Sequence, residues 1–262
     1  MLKLFLIAFL FIGSIPSYAE NIELFADDGL EWNQKDNKII MHKNATAKTP
    51  SYELKADNIE ALYKGNNKKI YKIYANDNVK IKSATENIFT DKMIYDIDAE
   101  RIDLLSNTNP TVMKSSDSKI TTKDKIIYFK DKNYATADNA EITHSGRQIF
   151  SDYIRITFEN KNGKNQVKYI HADGNIKLID GTEELYGDRA EYNPQNGFAT
   201  IDGNVHFKKG TEANLSGGKI VYNMNTGIAK ILPKDKDSKV SGVFSNIEEP
   251  WTRLFRSPLN DS

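Results

Sequence analysis

Two short sequence patterns alternate along most of the chain, and they constrain its fold more than any other feature. The first pattern is an aspartate followed by apolar or aromatic residues two and four positions later, as in Asp188-Arg-Ala-Glu-Tyr192. The second is an Asp-Asn or Asp-Gly-Asn step followed by two apolar residues with one residue between them, as in Asp202-Gly-Asn-Val-His-Phe207. Apolar residues at every second position are typical of strands with one buried face.

Both patterns recur at intervals typical of repeat proteins. The first starts at residues 28, 57, 91, 124, 152, 188 and 218, a spacing of about 28–36 residues. The second recurs around Lys43, Asp77, Asp138 and Asp173. Beyond the N-terminal apolar stretch, no segment has a helical period. We therefore predict an all-β protein, a stack of short antiparallel strands in a solenoid-like repeat.

Residues that accept positive φ angles lie between the apolar pairs. Asn196-Gly197 and Asp202-Gly203-Asn204 are interpreted as hairpin turns, because glycine and asparagine adopt these angles at little cost. The recurring aspartates are interpreted as turn-stabilising groups, since a catalytic acid would occur once and not in nearly every unit.

The two ends of the chain differ from the repeats. Residues 1–19 contain Lys3, an apolar stretch and small residues before Ala19, which predicts a cleavable signal peptide and export; an uncleaved anchor is the alternative. Residues 20–232 are predicted to form the β domain. Residues 233–262 are predicted to form a flexible or irregular tail, in which Trp251, Leu254 and Phe255 are available for docking.

The composition argues against several kinds of chemistry. The chain has no cysteine, and its 36 Lys and Arg residues balance 36 Asp and Glu residues, which does not favour nucleic-acid binding. The four histidines lack metal-ligand spacing, and we predict no catalytic residue, metal or cofactor. The pairs Asp96/Asp98 and Glu183/Glu184 leave a glycan-active enzyme as an alternative, but we interpret them as exposed acids beside turns.

The stretches GDRAEYNPQNGFATIDGNVHF and LSGGKIVYNMNTGIAKI resemble the OstA-like family, which includes the lipopolysaccharide transport protein LptA and domains of LptC and LptD. The resemblance extends over residues 22–232. It implies an open, V-shaped β-jellyroll whose groove holds the acyl chains of lipopolysaccharide, without catalysis or cofactor. It also implies a periplasmic location, LptC-like inner-membrane and LptD-like outer-membrane partners, and a head-to-tail homo-oligomer that bridges the two membranes.

Strand parity predicts which side chains face the groove. The predicted lipid-contacting residues are Trp32, Val79, Ile81, Met93, Tyr95, Tyr128, Ile142, Ile156, Ile176, Leu178, Tyr192, Val205, Phe207 and Tyr222. The predicted oligomer edges contain Ile22, Leu24, Ile228 and Ile231, because terminal strands carry unpaired backbone groups. The alternative is a structural β-solenoid or scaffold whose inward residues fill a closed core.

Overall fold

The structure is a computed structural model that describes residues 22–66, 68–84, 86–115, 118–144, 146–161, 164–223, 225–226 and 228–245. The predicted signal peptide and residues 246–262 of the predicted tail lie outside these ranges. Among the described residues, no helix is long and apolar enough to cross a membrane.

The described residues form one antiparallel sheet of 18 strands. In chain order the strands are β1 Glu23–Phe25, β2 Leu30–Asn33, β3 Lys38–Lys48, β4 Glu53–Lys64, β5 Lys69–Lys82, β6 Asn87–Asp96, β7 Arg101–Leu105, β8 Thr111–Lys114, β9 Ser118–Thr122, β10 Lys125–Phe129, β11 Tyr134–His144, β12 Arg147–Lys161, β13 Lys164–Asp180, β14 Glu183–Asn193, β15 Phe198–Lys209, β16 Ala213–Asn223, β17 Ile228–Leu232 and β18 Ser241–Phe244. The prediction of an all-β jellyroll is confirmed.

The strands stack as fourteen rungs. Strands β1 and β2 both pair with β3, and the pairs β7/β8, β9/β10 and β17/β18 likewise each form one rung, while each of the other ten strands is a rung by itself. At about 4.8 Å per rung the stack is about 60 Å long. Each rung bends once and so contributes to two facing layers. Layer 1 contains β1, β8, β9 and β18, layer 2 contains β2, β7, β10 and β17, and the long strands run through both.

The bends are β-bulges inside the long strands. The register shifts between Asp202 and Val205, for example, where Gly203 and Asn204 have φ angles of 75° and 46°. The interpretation of Asp202-Gly203-Asn204 as a hairpin turn is therefore wrong, whereas Asn196-Gly197 does lie in the hairpin between β14 and β15. A G1-type bulge and a tight hairpin both require positive φ angles, so the local sequence is the same.

The two sequence patterns meet at these bulges. In five rungs the amide of a left-handed asparagine, with φ between 45° and 52°, donates to an aspartate of the preceding strand or loop. The pairs and distances are Asn44–Asp27 2.7 Å, Asn78–Asp57 2.9 Å, Asn139–Asp124 2.5 Å, Asn175–Asp152 2.8 Å and Asn204–Asp188 2.8 Å. The aspartates of the first pattern therefore fasten the corner of the stack, as the structural interpretation predicted, except that Asp27 replaces Asp28.

One corner is built differently. Between β7 and β8 the chain leaves the sheet as a loop, and Oδ2 of Asp91 accepts the backbone N–H groups of Asn107, Thr108 and Asn109 over 2.6–2.8 Å. Burial alone would raise the pKa of Asp91, but the hydrogen bonds from the Asn109 amide and from the three N–H groups outweigh it and lower that pKa to about 2. Asp91 therefore holds this loop as a carboxylate.

Regular structure continues beyond residue 232, the predicted domain boundary. Residues 233–240 connect β17 to β18, and Ser241–Phe244 pairs with Ala213–Ser216 of β16. The last rung thus repeats the layout of the first, with one short strand in each layer. The sequence around Ser241 lacks the alternating pattern, which explains why the strand was not predicted.

Candidate functional site

Three uninterrupted rows of apolar residues run through all fourteen rungs between the layers. Row A belongs to layer 1, and each of its members is the register partner of the next one on the neighbouring strand. Row A consists of Leu24, Ala47, Leu54, Ile81, Ile88, Met113, Ile120, Ile142, Ile149, Leu178, Leu185, Phe207, Leu215 and Gly242.

Layer 2 provides two further rows, two residues apart on each strand. Row B consists of Leu30, Met41, Ile59, Ala75, Met93, Leu104, Ile126, Ala137, Ile154, Ala172, Ala190, Ile201, Ile220 and Ile231. Row C consists of Trp32, Ile39, Ala61, Ile73, Tyr95, Ile102, Tyr128, Ala135, Ile156, Ile170, Tyr192, Ala199, Tyr222 and Ala229. Since side chains alternate along a strand, both rows face layer 1.

The interior is packed over the middle of the stack. In row B every residue from Met41 to Ala172 is buried, and in row A every residue from Ile88 to Ile142 is buried. Tyr128 and Phe158 pack edge to face here, with their ring centroids 6.3 Å apart. Side chains from both layers therefore fill the space between them in this part of the molecule.

A cavity opens between the layers at the C-terminal end. Its volume is about 660 Å³, within the range of about 300–1,000 Å³ typical of small-molecule sites. Its wall combines row A, row B and row C residues with the last strands. The lining residues are Leu178, Glu183, Glu184, Leu185, Ala199, Ile201, Phe207, Leu215, Ile220, Tyr222, Ala229, Ile231, Val240, Ser241, Gly242 and Phe244.

The inward face of layer 1 ends in a polar row along the groove mouth, two residues beyond row A. Ser118 Oγ lies 2.6 Å from His144 Nδ1, and both residues are buried. Farther along, Nε of Arg147 donates to Oδ2 of Asp180 over 2.8 Å. From Ser83 to Lys209 the space between the layers is therefore apolar inside and polar at its edge, whereas at the ends of the stack the same line contains Ile22, Ala213 and Phe244. We call this line the rim row, and it contains Ser83, Glu86, Ser115, Ser118, His144, Arg147, Asp180, Glu183 and Lys209.

The tyrosines of row C lie opposite the rim row. Burial raises the pKa of Tyr95, Tyr128, Tyr192 and Tyr222, so their hydroxyls stay protonated at neutral pH. For Tyr222 the carboxylates of two rim residues raise the pKa further, while the Arg147 guanidinium lowers it. The rim charges of layer 1 thus act on a hydroxyl of layer 2, across the groove.

All fourteen predicted groove residues lie on the inward faces. Most belong to rows A, B and C; Val79, Ile176 and Val205 sit beside the bulges and are almost fully buried. Trp32, on the first rung, is 48% exposed, and its Nε1 donates to the Tyr63 hydroxyl over 2.9 Å. The side chains of this set that line the cavity are Leu178, Phe207 and Tyr222.

Other cavity residues were missed by the sequence patterns. Leu185 and Leu215 precede the bulge on their strands, and both patterns describe only residues that follow a corner. Their alternation with polar neighbours was the available signal. Ile231, predicted as an oligomer edge, lines the cavity. Of the other predicted edge residues, Leu24 and Ile228 are exposed on the terminal strands β1 and β17, and Ile22 is exposed directly before β1.

The acid pairs of the glycan-active alternative have lysine partners. Asp96 binds Lys72 over 2.7 Å, and Glu184 lies 3.5 Å from Lys177. Hydrogen bonds from Lys72 and Tyr186, respectively, lower the pKa of Asp96 and Glu184. A glycosidase general acid needs a raised pKa, so these residues do not support that alternative. No group of three potential His, Cys, Asp or Glu metal ligands occurs among the described residues.

The fold and the interior define a class: non-helical stacks of bent antiparallel strands that enclose a continuous apolar track. A family model described as "LptA/(LptD N-terminal domain) LPS transport protein" matches residues 26–134 and again residues 119–228. The matches together cover more than half of the chain, and the protein therefore belongs to this family of lipopolysaccharide transport proteins, as the sequence resemblance predicted.

A solved structure is similar as well. It is LptH from Pseudomonas aeruginosa, described as the LptA homologous periplasmic component of the conserved lipopolysaccharide transport device; it has 10% sequence identity over 86% of this chain and 96% of that chain, with a TM-score of 0.24. No curated protein matches the chain.

Proposed function

We propose that the protein carries lipopolysaccharide across the periplasm by holding its acyl chains between layers 1 and 2, without catalysing a reaction. The observation that carries this proposal is the continuity of rows A, B and C through fourteen rungs, ending in an open cavity. Each CH₂ group buried there stabilises a complex by about 0.8 kcal/mol. Many equivalent apolar contacts favour a ligand that slides, and passage along the packed middle of the stack would require layers 1 and 2 to move apart.

The polarity of the groove suits an amphiphile. Acyl chains fit the apolar rows, and the polar part of the lipid would lie at the rim row and the row C hydroxyls. Near the cavity these groups include Arg147, Asp180, Glu183 and Tyr222. A purely apolar ligand has no polar groups that could form hydrogen bonds or ion pairs with this edge.

The proposed bridge depends on the two ends of the stack. Strands β1 and β2 pair only with β3, and β17 and β18 pair only with β16 among the described residues. Their outer backbone groups are therefore available for pairing with another chain. Repeated head-to-tail pairing does not close, so it would produce a filament reaching LptC-like and LptD-like partners at the inner and outer membranes.

Photo-crosslinking from neighbouring residues tests the carrier function. A photoreactive amino acid at Phe207, which lines the cavity, should label with lipopolysaccharide, while the same group at His206, which is exposed on the opposite face of β15, should not. Equal labelling from both positions would contradict the proposed groove.

The packed middle of the stack favours a second candidate, a scaffold protein with a closed core. The burial of Met41, Ile126 and Ile154, each about 2% exposed, is what such a core requires. A scaffold predicts no lipopolysaccharide labelling from either Phe207 or His206. The crosslinking experiment therefore separates the two functions.

A further inference from the structure

The described chain ends at the mouth of the cavity. Val240, Ser241, Gly242 and Phe244 are part of the cavity wall. The backbone N–H of Ser245 donates to the carbonyl oxygen of Glu212 over 2.9 Å. The remaining 17 residues, 246–262, therefore start beside the opening.

Two of these wall residues expose large apolar side chains. Phe244 is 57% exposed and Val240 is 41% exposed, although both line the cavity. Contiguous exposed apolar surface of this kind marks an interaction site more often than isolated residues do. An apolar occupant that entered the cavity beside them would remove both side chains from water.

Residues 246–262 contain suitable apolar groups. Trp251, Leu254 and Phe255 fall within five positions. The charged residues around them are of both signs: Glu248 and Glu249 precede Trp251, Arg253 lies between Trp251 and Leu254, and Arg256 follows Phe255. Each aromatic side chain buries about 150–250 Å² when it packs fully. The cavity wall is apolar except for a few groups, which include Glu183 and Glu184. Both carboxylates have lysine partners, Lys209 at 3.7 Å and Lys177 at 3.5 Å, so the match between the segment and the cavity is one of apolar surfaces.

The distance also fits. Trp251 is six residues beyond Ser245, and an extended chain covers about 20 Å in six residues. The cavity extends from the β13 rung to the last rung, four spacings of about 4.8 Å, or about 19 Å. The segment can therefore reach any part of the cavity from its point of attachment.

We infer that residues 246–262 dock into the cavity of their own chain and cover it with Trp251, Leu254 and Phe255. A short tether gives such a segment an effective concentration in the millimolar range. The inference adds regulation to the site of the proposed function, because a lipid must displace the segment to bind. The apparent affinity of the cavity for the lipid is then reduced to the intrinsic affinity multiplied by the fraction of molecules in which the cavity is uncovered.

Tryptophan fluorescence tests the docking without any lipid. The substitution Trp32→Phe leaves Trp251 as the one tryptophan, since the chain has two. We expect a blue-shifted emission and several-fold weaker quenching by acrylamide than in the urea-unfolded chain, both independent of protein concentration. Exposed emission, or protection that increases with concentration and so indicates docking between copies, would overturn the inference.

Two adjacent substitutions provide a matched comparison. Phe244→Ser removes a cavity side chain, whereas Val243→Ser removes one from the opposite face of β18, where Val243 is 66% exposed. Because both side chains are exposed, neither variant should unfold. We expect Phe244→Ser to increase the quenching of Trp251 and Val243→Ser to leave it unchanged; equal effects would overturn the inference.

A second measurement links the segment to ligand binding. Truncation after Ser245 should tighten binding of a fluorescent long-chain fatty acid several-fold, and an unchanged affinity would contradict a covering role. If neither form binds the fatty acid or lipopolysaccharide, the proposed carrier function fails, while the fluorescence of Trp251 still decides whether the segment docks.

Discussion

The side-chain amide of Asn204 donates to Oδ2 of Asp188 over 2.8 Å, and it does so from a left-handed backbone with a φ angle of 46°. The hydrogen bond joins the two sequence patterns across neighbouring strands at the corner of the stack. Gly203 beside it has a φ angle of 75°, and a Cβ there would collide with the Asp188 carboxylate. The left-handed backbone conformation and the hydrogen bond to Asp188 thus both restrict which residues can occupy positions 203 and 204.

Two substitutions at Asn204 separate these contributions. Asn204→Gly keeps the positive φ angle but loses an exposed hydrogen bond, which should lower the free energy of unfolding by less than about 1 kcal/mol. Asn204→Ala also adds the cost of a left-handed alanine, roughly 1–2 kcal/mol. Urea unfolding measures both values, and an equal loss in the two variants would show that backbone conformation is unimportant at this corner.

Asp91 should be more important for stability than the other corner aspartates. Asp91→Asn removes the charge that accepts three backbone N–H groups, and hydrogen bonds to a charged group contribute about 1.5–3 kcal/mol. We expect a loss of about 2 kcal/mol at pH 7, measured by chemical unfolding. Asp57→Asn, which affects a single exposed hydrogen bond to Asn78, is the control and should cost less than half as much.

The same carboxylate makes a prediction about acid. Its folded pKa of about 2 lies below the ordinary value of 3.8, so its contribution to stability is present above pH 3.8 and is lost as the pH falls towards 2. In the Asp91→Asn variant this part of the acid sensitivity should disappear. An unchanged difference between the two proteins from pH 7 to pH 2 would contradict the assignment.

The inward rows were predictable because they depend on strand parity alone. Tyr192 and Tyr222 follow their pattern residues by a fixed number of positions, and burial of every second side chain then places them on one face. The corners were not predictable in the same way. A left-handed Gly203-Asn204 step is compatible with a hairpin or with a bulge, and only pairing with distant strands distinguishes them.

The cavity depends on volumes in two layers that lie far apart in sequence. Ala199 and Ala229 of row C and Gly242 of row A line the cavity, but equally small residues, Ala135 and Ala137, are fully packed in the middle rungs. No pattern along a single strand reports which residues face each other across the interior. The cavity's place in the stack could therefore be found only from the three-dimensional structure.

Glu86 should make stability depend on pH in the opposite direction to Asp91. It lies in the rim row at 8% exposure, no hydrogen bond among the described residues reaches its Oε1, and burial raises its pKa from 4.5 to about 7. Because the folded pKa exceeds the unfolded value, the contribution of Glu86 to the free energy of unfolding is greatest below pH 4.5 and is lost as the pH rises through about 7. This loss approaches about 3 kcal/mol.

Glu86→Gln tests this dependence. The variant cannot ionise, so its urea midpoint should exceed that of the unmodified protein at pH 8 and match it near pH 4.5. Glu23→Gln, at an exposed position of β1, is the control and should change neither midpoint. If Glu86→Gln shifts the midpoint equally at both pH values, then the charge of Glu86 is not the cause.

Enlarging one alanine in the packed middle and one in the cavity should have different consequences. Ala75 of row B is fully buried, so Ala75→Leu overpacks the interior and should lower the free energy of unfolding by about 1–3 kcal/mol. Ala199 lines the cavity, so Ala199→Leu has space to fill and should cost less than Ala75→Leu. Thermal or urea unfolding of the two variants measures the difference.

In the protein truncated after Ser245, Ala199→Leu should also weaken binding of the fluorescent fatty acid, because the added side chain occupies part of the cavity. Equal destabilisation by the two substitutions, with fatty-acid binding unchanged, would place the lipid outside the cavity.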